Sequence, residues 1–330
     1  MNIHGMVHPR ADTDRLYVKR KEGGRGLRSI EGMIDIEKLD LRDYVNSRTD
    51  DRLIEIVRSS GEHEKGITTA GRCQEYKRNK KNSRYNSWKQ KALHGQYICQ
   101  LGEDVNIEQT FRWLTNCHLK GETEALLIAA QDQALNTNSH RVRILHSGTE
   151  SKCRMCKAEE ETMAHIISGC KTLANGSYKE RHITLQEVHT GHCVKTKVVE
   201  ETTGVKILWD FGIRTEKEIQ AHRPDIVFVD KINRKPKIID TACPIHYNIG
   251  EEEREKMMKY QDFAIDLKHV YQLESVRVLP VIISVNGLVP KALHRSFEHL
   301  RLPKKLFSQC QKAALLAMAR IVWKTLGMAG

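Results

Sequence analysis

Apolar residues recur along the chain in two rhythms. Over Met33 to about Arg58, 107–119 and 123–136 they return every three or four positions, the period of a helix with one buried face. Ile107, Phe111 and Leu114 point inward from the second stretch. Thr123 is the expected N-cap of the third, and the two form an αα-hairpin broken near Gly121. Leu16-Tyr17-Val18 reads as a short strand, and the glycines of Gly23-Gly24-Arg25-Gly26 predict a tight turn. Farther on the rhythm shortens. Ile226–Val229 and Lys237–Asp240 are compact apolar runs, joined by a polar connection, that predict a β-hairpin. One long helix over 251–271, with acids in its first turns, and a third strand over 276–283 follow. A last helix near Leu306 to Leu326 brings Leu315, Met318 and Val322 onto one stripe, which core packing explains.

Composition narrows the partners. Lys and Arg number 54 against 42 acids, a net charge of +12 that favours polyanions, nucleic acid or an anionic surface. No run of about 18 apolar residues is present, so no membrane span is expected. The opening MNIHGMVHPR lacks the apolar stretch of a signal peptide. Nine scattered cysteines fit reduced thiols and one metal site better than a disulfide framework.

The positive charge is densest over residues 72–91. Arg72, Lys77, Arg78, Lys80, Lys81, Arg84, Lys89 and Lys91 stand against Glu75 alone, a net of +7, with Tyr76, Tyr85, Trp88 and Tyr97 interleaved. Cations beside rings suit phosphates beside bases, so Lys77, Arg78, Lys80, Lys81, Arg84 and Trp88 are candidate nucleic-acid contacts. The plain alternative is a solvated helix whose rings face the core. Lys77 to Lys81 also form a candidate nuclear signal.

Cys153-x-x-Cys156, followed by His165 and Cys170, has the spacing of a four-ligand zinc site. Two thiols three residues apart bite one ion from a turn, and four protein ligands close the shell, so the metal would be structural. Lys152, Arg154 and Lys157 are expected to lower the thiol pKa values. His182, His189, His192 and Cys193 are the substitutes should one ligand fail.

A second inventory lies downstream. Asp225 opens the first strand of the predicted hairpin, Asp240 closes the second, and Lys256 and Lys259 share a face of the following helix. Two aspartates supply hard oxygen ligands for magnesium, which polarises a phosphoryl oxygen and acidifies water. A lysine beside them offsets transition-state charge. The plain alternative pairs those lysines with Glu252, Glu253 or Glu255.

The order of these motifs resembles one family. A Cys-Cys-His-Cys knuckle, Arg223-Pro224-Asp225 at a strand, Asp240 at the next strand's end and Lys256-x-x-Lys259-Tyr260 on a helix look like the C-terminal region of non-LTR retrotransposon proteins. The DNA-cutting domain of that family is restriction-like, of the PD-(D/E)XK kind. Glu22-Gly23-Gly24-Arg25-Gly26-Leu27 is similar to the segment after its reverse-transcriptase domain, so the resemblance spans most of the chain. It implies catalytic Asp225 and Asp240 holding magnesium, Lys256 or Lys259 as the displaced lysine, Arg223 on phosphate and Glu216 or Glu218 completing the metal shell. Thr241-Ala242 departs from the family's simplest pattern, which has a lysine just after the second acid. The implied activity is nicking of target DNA to prime reverse transcription, with element RNA as a second partner and residence in the nucleus. No polymerase motif is present, since Thr49-Asp50-Asp51-Arg52 lies in a polar linker, so a longer parent protein is expected.

The expected fold class is therefore α+β. A post-polymerase remnant and linker (1–70) and a basic helical region (71–150) precede the knuckle and its connector (151–199). A small mixed-sheet α/β restriction-like core (200–290) and a C-terminal amphipathic helix (291–330) follow. A catalytically inactive nucleic-acid-binding remnant with a structural zinc is the alternative function, and a helix-rich interaction protein is a third.

Overall fold

A computed structural model describes residues 10–47, 52, 55–56, 59, 69–190, 199–210, 223–233, 235–270 and 273–327. The chain forms two compact units, one of residues 11–99 and one built from residue 100 onward. Their composition is mixed α/β, with helices throughout and one five-stranded mixed sheet.

The first unit is helical. Its described helices include α1 (Thr13–Tyr17), α2 (Ile30–Asn46) and α3 (Thr69–Gln90). Leu16-Tyr17-Val18, expected as a strand, lies mostly in α1, because Asp12 caps the helix by accepting from the N–H of Arg15 at 3.0 Å. The glycine turn folds back on that helix. Gly26 N–H reaches Val18 O at 2.8 Å, Gly23 and Gly26 take φ of 96° and 71°, and a Cβ on Gly24 would sit 2.1 Å from Val18 O. A side chain at Gly24 is therefore excluded, and the cluster is a packed turn.

The second unit holds the sheet. After the helices α4 (Gly121–Gln131) and α5 (Lys179–Thr190) come β1 (Val199–Glu201), β2 (Val205–Trp209), β3 (Ile226–Asp230) and β4 (Lys237–Ala242). Two helices follow, α6 (Ile249–Lys259) and α7 (Gln261–Val270), then β5 (Arg277–Ile282), α8 (Lys291–Leu300) and α9 (Lys304–Leu326). The strands lie in the order β1-β2-β3-β4-β5; the first three pairings are antiparallel and β4 pairs parallel with β5 across the α6–α7 crossover. Asp230 ends β3 by accepting from the N–H groups of Ile232 and Asn233, which turns the chain back into β4.

Alternation along the strands splits the core into two layers. Ile226, Ile239 and Val281 face a layer made with Leu185 of α5, Leu293 and Phe297 of α8 and Phe307, Cys310 and Ala314 of α9. Leu208, Val227 and Ile238 face Tyr260, Phe263 and Leu267 on the other side. Helices thus cover both faces, and α5, α8 and α9 belong to the same core as the strands between them. Leu315, Met318 and Val322 are buried, as their stripe requires.

Three sequence expectations shift. The β1–β2 hairpin was not anticipated. The helix expected over 251–271 is two helices divided at Tyr260, whose backbone (φ −103°, ψ 8°) leaves the helical region as its ring goes into the core. The hairpin expected over 107–136 consists of Ile107–Phe111, Trp113–Asn116 and α4, and α4 begins after Lys120, so Thr123 is a buried helical residue and not the cap. No helix among the described residues is long and apolar enough to cross a membrane.

Candidate functional site

Cys153, Cys156, His165 and Cys170 come together as one cluster whose donor atoms all lie within 4.8 Å of one another. Cys153 Sγ and Cys170 Sγ are 4.0 Å apart, and Cys156 Sγ is 3.4 Å from His165 Nε2. A tetrahedral zinc with ordinary bond lengths needs edges of about 3.8 Å between sulfurs and about 3.6 Å from sulfur to nitrogen. This set could bind zinc.

Local structure presents those ligands. Lys157 adopts φ 59°, and the turn aims the N–H groups of Glu159 and Ala158 at the Cys156 sulfur. His165 opens a π-helical turn that ends at Gly169, which sets it and Cys170 on one side. Tyr178 braces the turn: its hydroxyl accepts from Cys170 N–H at 3.1 Å and donates to Ile166 O at 2.7 Å. The backbone N–H groups of Glu159 and Ala158 lower the Cys156 thiol, whereas burial raises that of Cys153. The basic residues around the cysteines are turned elsewhere. Lys152 donates to Ala158 O, and Arg154 grips both oxygens of the buried Glu161. The expected cationic lowering of the thiols is thus replaced by a backbone effect.

A second cluster forms at the carboxyl end of β4. Ile226 pairs with Ile239, so one further step of the antiparallel register sets Asp225 across from Asp240. Asp240 is 3% exposed. Its Oδ1 accepts from the Tyr260 hydroxyl at 2.8 Å, and its Oδ2 forms a salt bridge with the Lys256 ammonium at 2.8 Å. Asp225 Oδ2 accepts from Thr241 N–H at 2.6 Å and from Thr241 Oγ1 at 2.5 Å. Because that hydroxyl donates to Asp225, the Nε2–H of His182 is shared between Thr241 O at 3.1 Å and Thr241 Oγ1 at 3.2 Å. His182 Nε2 is also 3.5 Å from Asp225 Oδ2.

Burial lowers the Lys256 ammonium, but Asp240, Glu252 and Asp225 more than offset it, so its pKa lies above the ordinary value. Burial and the neighbouring Asp240 charge raise that of Tyr260. Both groups therefore hold their protons against the carboxylate at neutral pH.

Of the two candidate lysines, Lys256 meets Asp240, while Lys259 is exposed and lies 4.7 Å over the Tyr260 ring. Arg223 is half spent on an exposed pair with Asp210, at 2.8 Å. His182, a substitute zinc ligand by spacing, serves the carboxylate site instead. Glu216, Glu218, His192 and Cys193 lie outside the described residues, as does the side chain of His189. Among the described residues, no third carboxylate joins Asp225 and Asp240 in a compact ligand set. Sequence reasoning gave Thr241 and His182 no role there; no local spacing signals them, since their contacts span 16 and 59 residues.

Arg181 links the two clusters. Its guanidinium donates to Ile167 O of the π-helical turn at 2.6 Å and to Cys243 O, just past β4, at 3.3 Å. The knuckle and the carboxylate strand are thus joined through two consecutive residues of α5.

The basic helix fares differently from its sequence reading. Trp88 is 0% exposed, its Nε1–H donates to His94 O, and Arg15 lies 4.7 Å over its ring, so it has no free face for a base. Lys80 pairs with Asp35 at 3.2 Å, Lys81 with Glu22 at 2.6 Å and Arg84 with Asp14 at 3.2 Å. Arg78 and Lys89 are exposed, and the side chain of Lys77 lies outside the described residues. The structural alternative accounts for most of this segment.

No protein-family model matches the sequence, and no curated protein matches it.

Proposed function

We propose that the chain is a magnesium-dependent DNA endonuclease from a non-LTR retrotransposon protein, with a restriction-like core and a zinc-stabilised module. The observation that carries this reading is the convergence of Asp225, Asp240 and Lys256, from two adjacent strands and the crossover helix, at the carboxyl end of β4. Ligands of open α/β sheets gather outside such strand ends.

The residues fit a hard cation. Asp240 Oδ2 is a buried carboxylate oxygen held by the Lys256 ammonium at 2.8 Å, and with Asp225 beside it the two acids offer an oxygen-only donor set. Magnesium held by Asp225 and Asp240 would polarise the scissile phosphate and acidify a water. Lys256 keeps its proton and adds positive charge where the phosphorane gathers negative charge. Tyr260 fixes the rotamer of Asp240, and Thr241 with His182 fixes that of Asp225. These residues orient the carboxylates without taking part in proton transfer. The reading carries with it a nuclear location, element RNA as a second partner and a polymerase in a longer parent protein.

Nicking of supercoiled plasmid tests it. Wild-type protein with magnesium should convert the plasmid to open circles, omitting magnesium should stop it, and Asp225→Ala and Asp240→Ala should each lose at least about 10²-fold, the order expected for a metal ligand. Circular dichroism checks that both variants stay folded. A folded, zinc-loaded wild type that binds DNA and never nicks would leave the chain as a binding remnant.

A further inference from the structure

The edge of the sheet carries a second basic region, and its charges are differently arranged. β5 is the last strand, and a groove of about 490 Å³ runs along it between α6 and α8. Glu253 and Met257 form one wall, β5 from Arg277 to Pro280 the floor, and Arg295, Ser296 and His299 the other wall. Lys237 begins β4 directly beside Arg277, and Arg301 closes α8 next to His299.

Among the described residues, no carboxylate lies within ion-pairing distance of Lys237, Arg277, Arg295 or Arg301. Their contacts are to neutral groups. Arg277 Nη1 is 3.1 Å from His299 Nδ1, and Lys237 donates to His299 O at 2.8 Å and lies 5.2 Å over the Phe228 ring. The cations repel one another: after burial, Arg301 and then Arg277 lower the Lys237 ammonium, with Asp230 pulling it back up. The acid in the groove, Glu253, is pushed up by burial while Arg295 pulls it the other way. Four cations crowd one groove with only longer-range acids, Asp230 near Lys237 and Glu253 near Arg295, to offset them, and a multiply charged anion would relieve their repulsion.

A peptide strand fits this edge poorly. Pro280 has no N–H to offer, and its carbonyl already accepts from Ser296 Oγ at 2.9 Å. A chain of phosphates needs no such ladder. Lys237 and Arg277 precede Asp240 and Pro280 by three positions in the parallel register, about 10 Å along the strands. That equals the rise of about three nucleotides at about 3.4 Å each on one DNA strand.

We propose that this groove seats the DNA backbone, with Lys237, Arg277, Arg295 and Arg301 holding phosphodiesters about three nucleotides from the phosphate at Asp225 and Asp240. The choice of DNA rests on the endonuclease reading above. The groove reads charge and spacing and no base sequence, because its contacts are to phosphate.

The test is fluorescence anisotropy of the full chain with a labelled DNA duplex without magnesium, over a series of salt concentrations. It compares wild type with Arg277→Ala/Arg295→Ala/Arg301→Ala and with a charge-matched control, Lys120→Ala/Lys179→Ala/Arg320→Ala. All six positions are exposed, and thermal melts check folding. The groove variant should flatten the slope of log K against log salt by about 0.9 for each lost contact, while the control keeps the wild-type slope. With magnesium, the groove variant should raise KM for plasmid nicking and leave kcat near wild type. Equal slopes for the two triple variants overturn the assignment. A loss confined to an RNA duplex of the same sequence also overturns it. If wild type never nicks but the groove variant still loses its DNA slope, the catalytic reading falls and the backbone seat stands.

Discussion

The helix over residues 69–90 and the edge around β5 are both basic, yet their cations have opposite fates. On α3 the charges are consecutive in sequence, and acids of the same unit meet them: Asp14, Glu22 and Asp35 pair with Arg84, Lys81 and Lys80. Around β5 the cations are spread from Lys237 to Arg301, and among the described residues no carboxylate forms a salt bridge with them, although Asp230 and Glu253 act on Lys237 and Arg295 at longer range. Density along the chain measures neither exposure nor pairing. What a charge is free to bind depends on what already binds it in space.

The firmest way to break that contrast is Trp88→Ala. If Trp88 were a stacking platform, the variant would fold normally and lose affinity for single strands. Its complete burial predicts instead a loss of about 3–5 kcal/mol in unit stability, from the cavity and the severed bond to His94 O. Urea unfolding followed by circular dichroism measures the loss, and hydrogen exchange should locate it within residues 11–99.

Asp12 gives a somewhat smaller effect with a pH signature. Burial alone would raise its carboxyl, but hydrogen bonds from His94, Lys91 and the N–H of Arg15 hold it at about 2, against an ordinary 3.8. A depressed carboxyl stabilises the fold above its unfolded pKa, and that stability is lost as pH falls from about 4 toward about 2. Asp12→Asn should cost roughly 2 kcal/mol near neutrality, by the usual 1.36 kcal/mol per unit, and should flatten the acid limb of a stability-against-pH curve. An unchanged limb would mean that the α1–α3 ion cluster does not organise this unit.

The sites differ in how far they could be read from the sequence for the same reason. Cys153, Cys156, His165 and Cys170 fall within 18 residues, so their spacing alone carried the ligand geometry. Asp225 and Asp240 were legible because one hairpin joins them, and Lys256 because the next helix returns over β4. Thr241 and His182 owe their roles to register and to a helix arriving from before the sheet, which no local pattern encodes. The β1–β2 hairpin was missed although Gly204 and the alternating Val205-Lys206-Ile207 mark it; the run is short and half exposed. Leu16-Tyr17-Val18 reads as a strand because three apolar residues are too few to fix a period, and the Asp12 cap makes it helical instead.

The sharpest small effect comes from Lys80→Ala/Lys81→Ala. It removes two of the most conspicuous cations in the sequence. Both pairs lie at the surface, so their loss should leave stability close to wild type, as is usual for surface ion pairs. The stranded Asp35 and Glu22 repel DNA only within a Debye length of about 8 Å at physiological salt. A salt slope counts cations that displace counterions from phosphate, and these two are already matched by acids, so the slope should stay within about 0.5 of wild type. The β5-edge variant removes one more charge and should shift the slope several times further. If instead the α3 double variant flattens the slope by about 1.8, the value for two direct contacts, then its acids release those lysines to DNA, and pairing in the free protein is no guide to which cations bind.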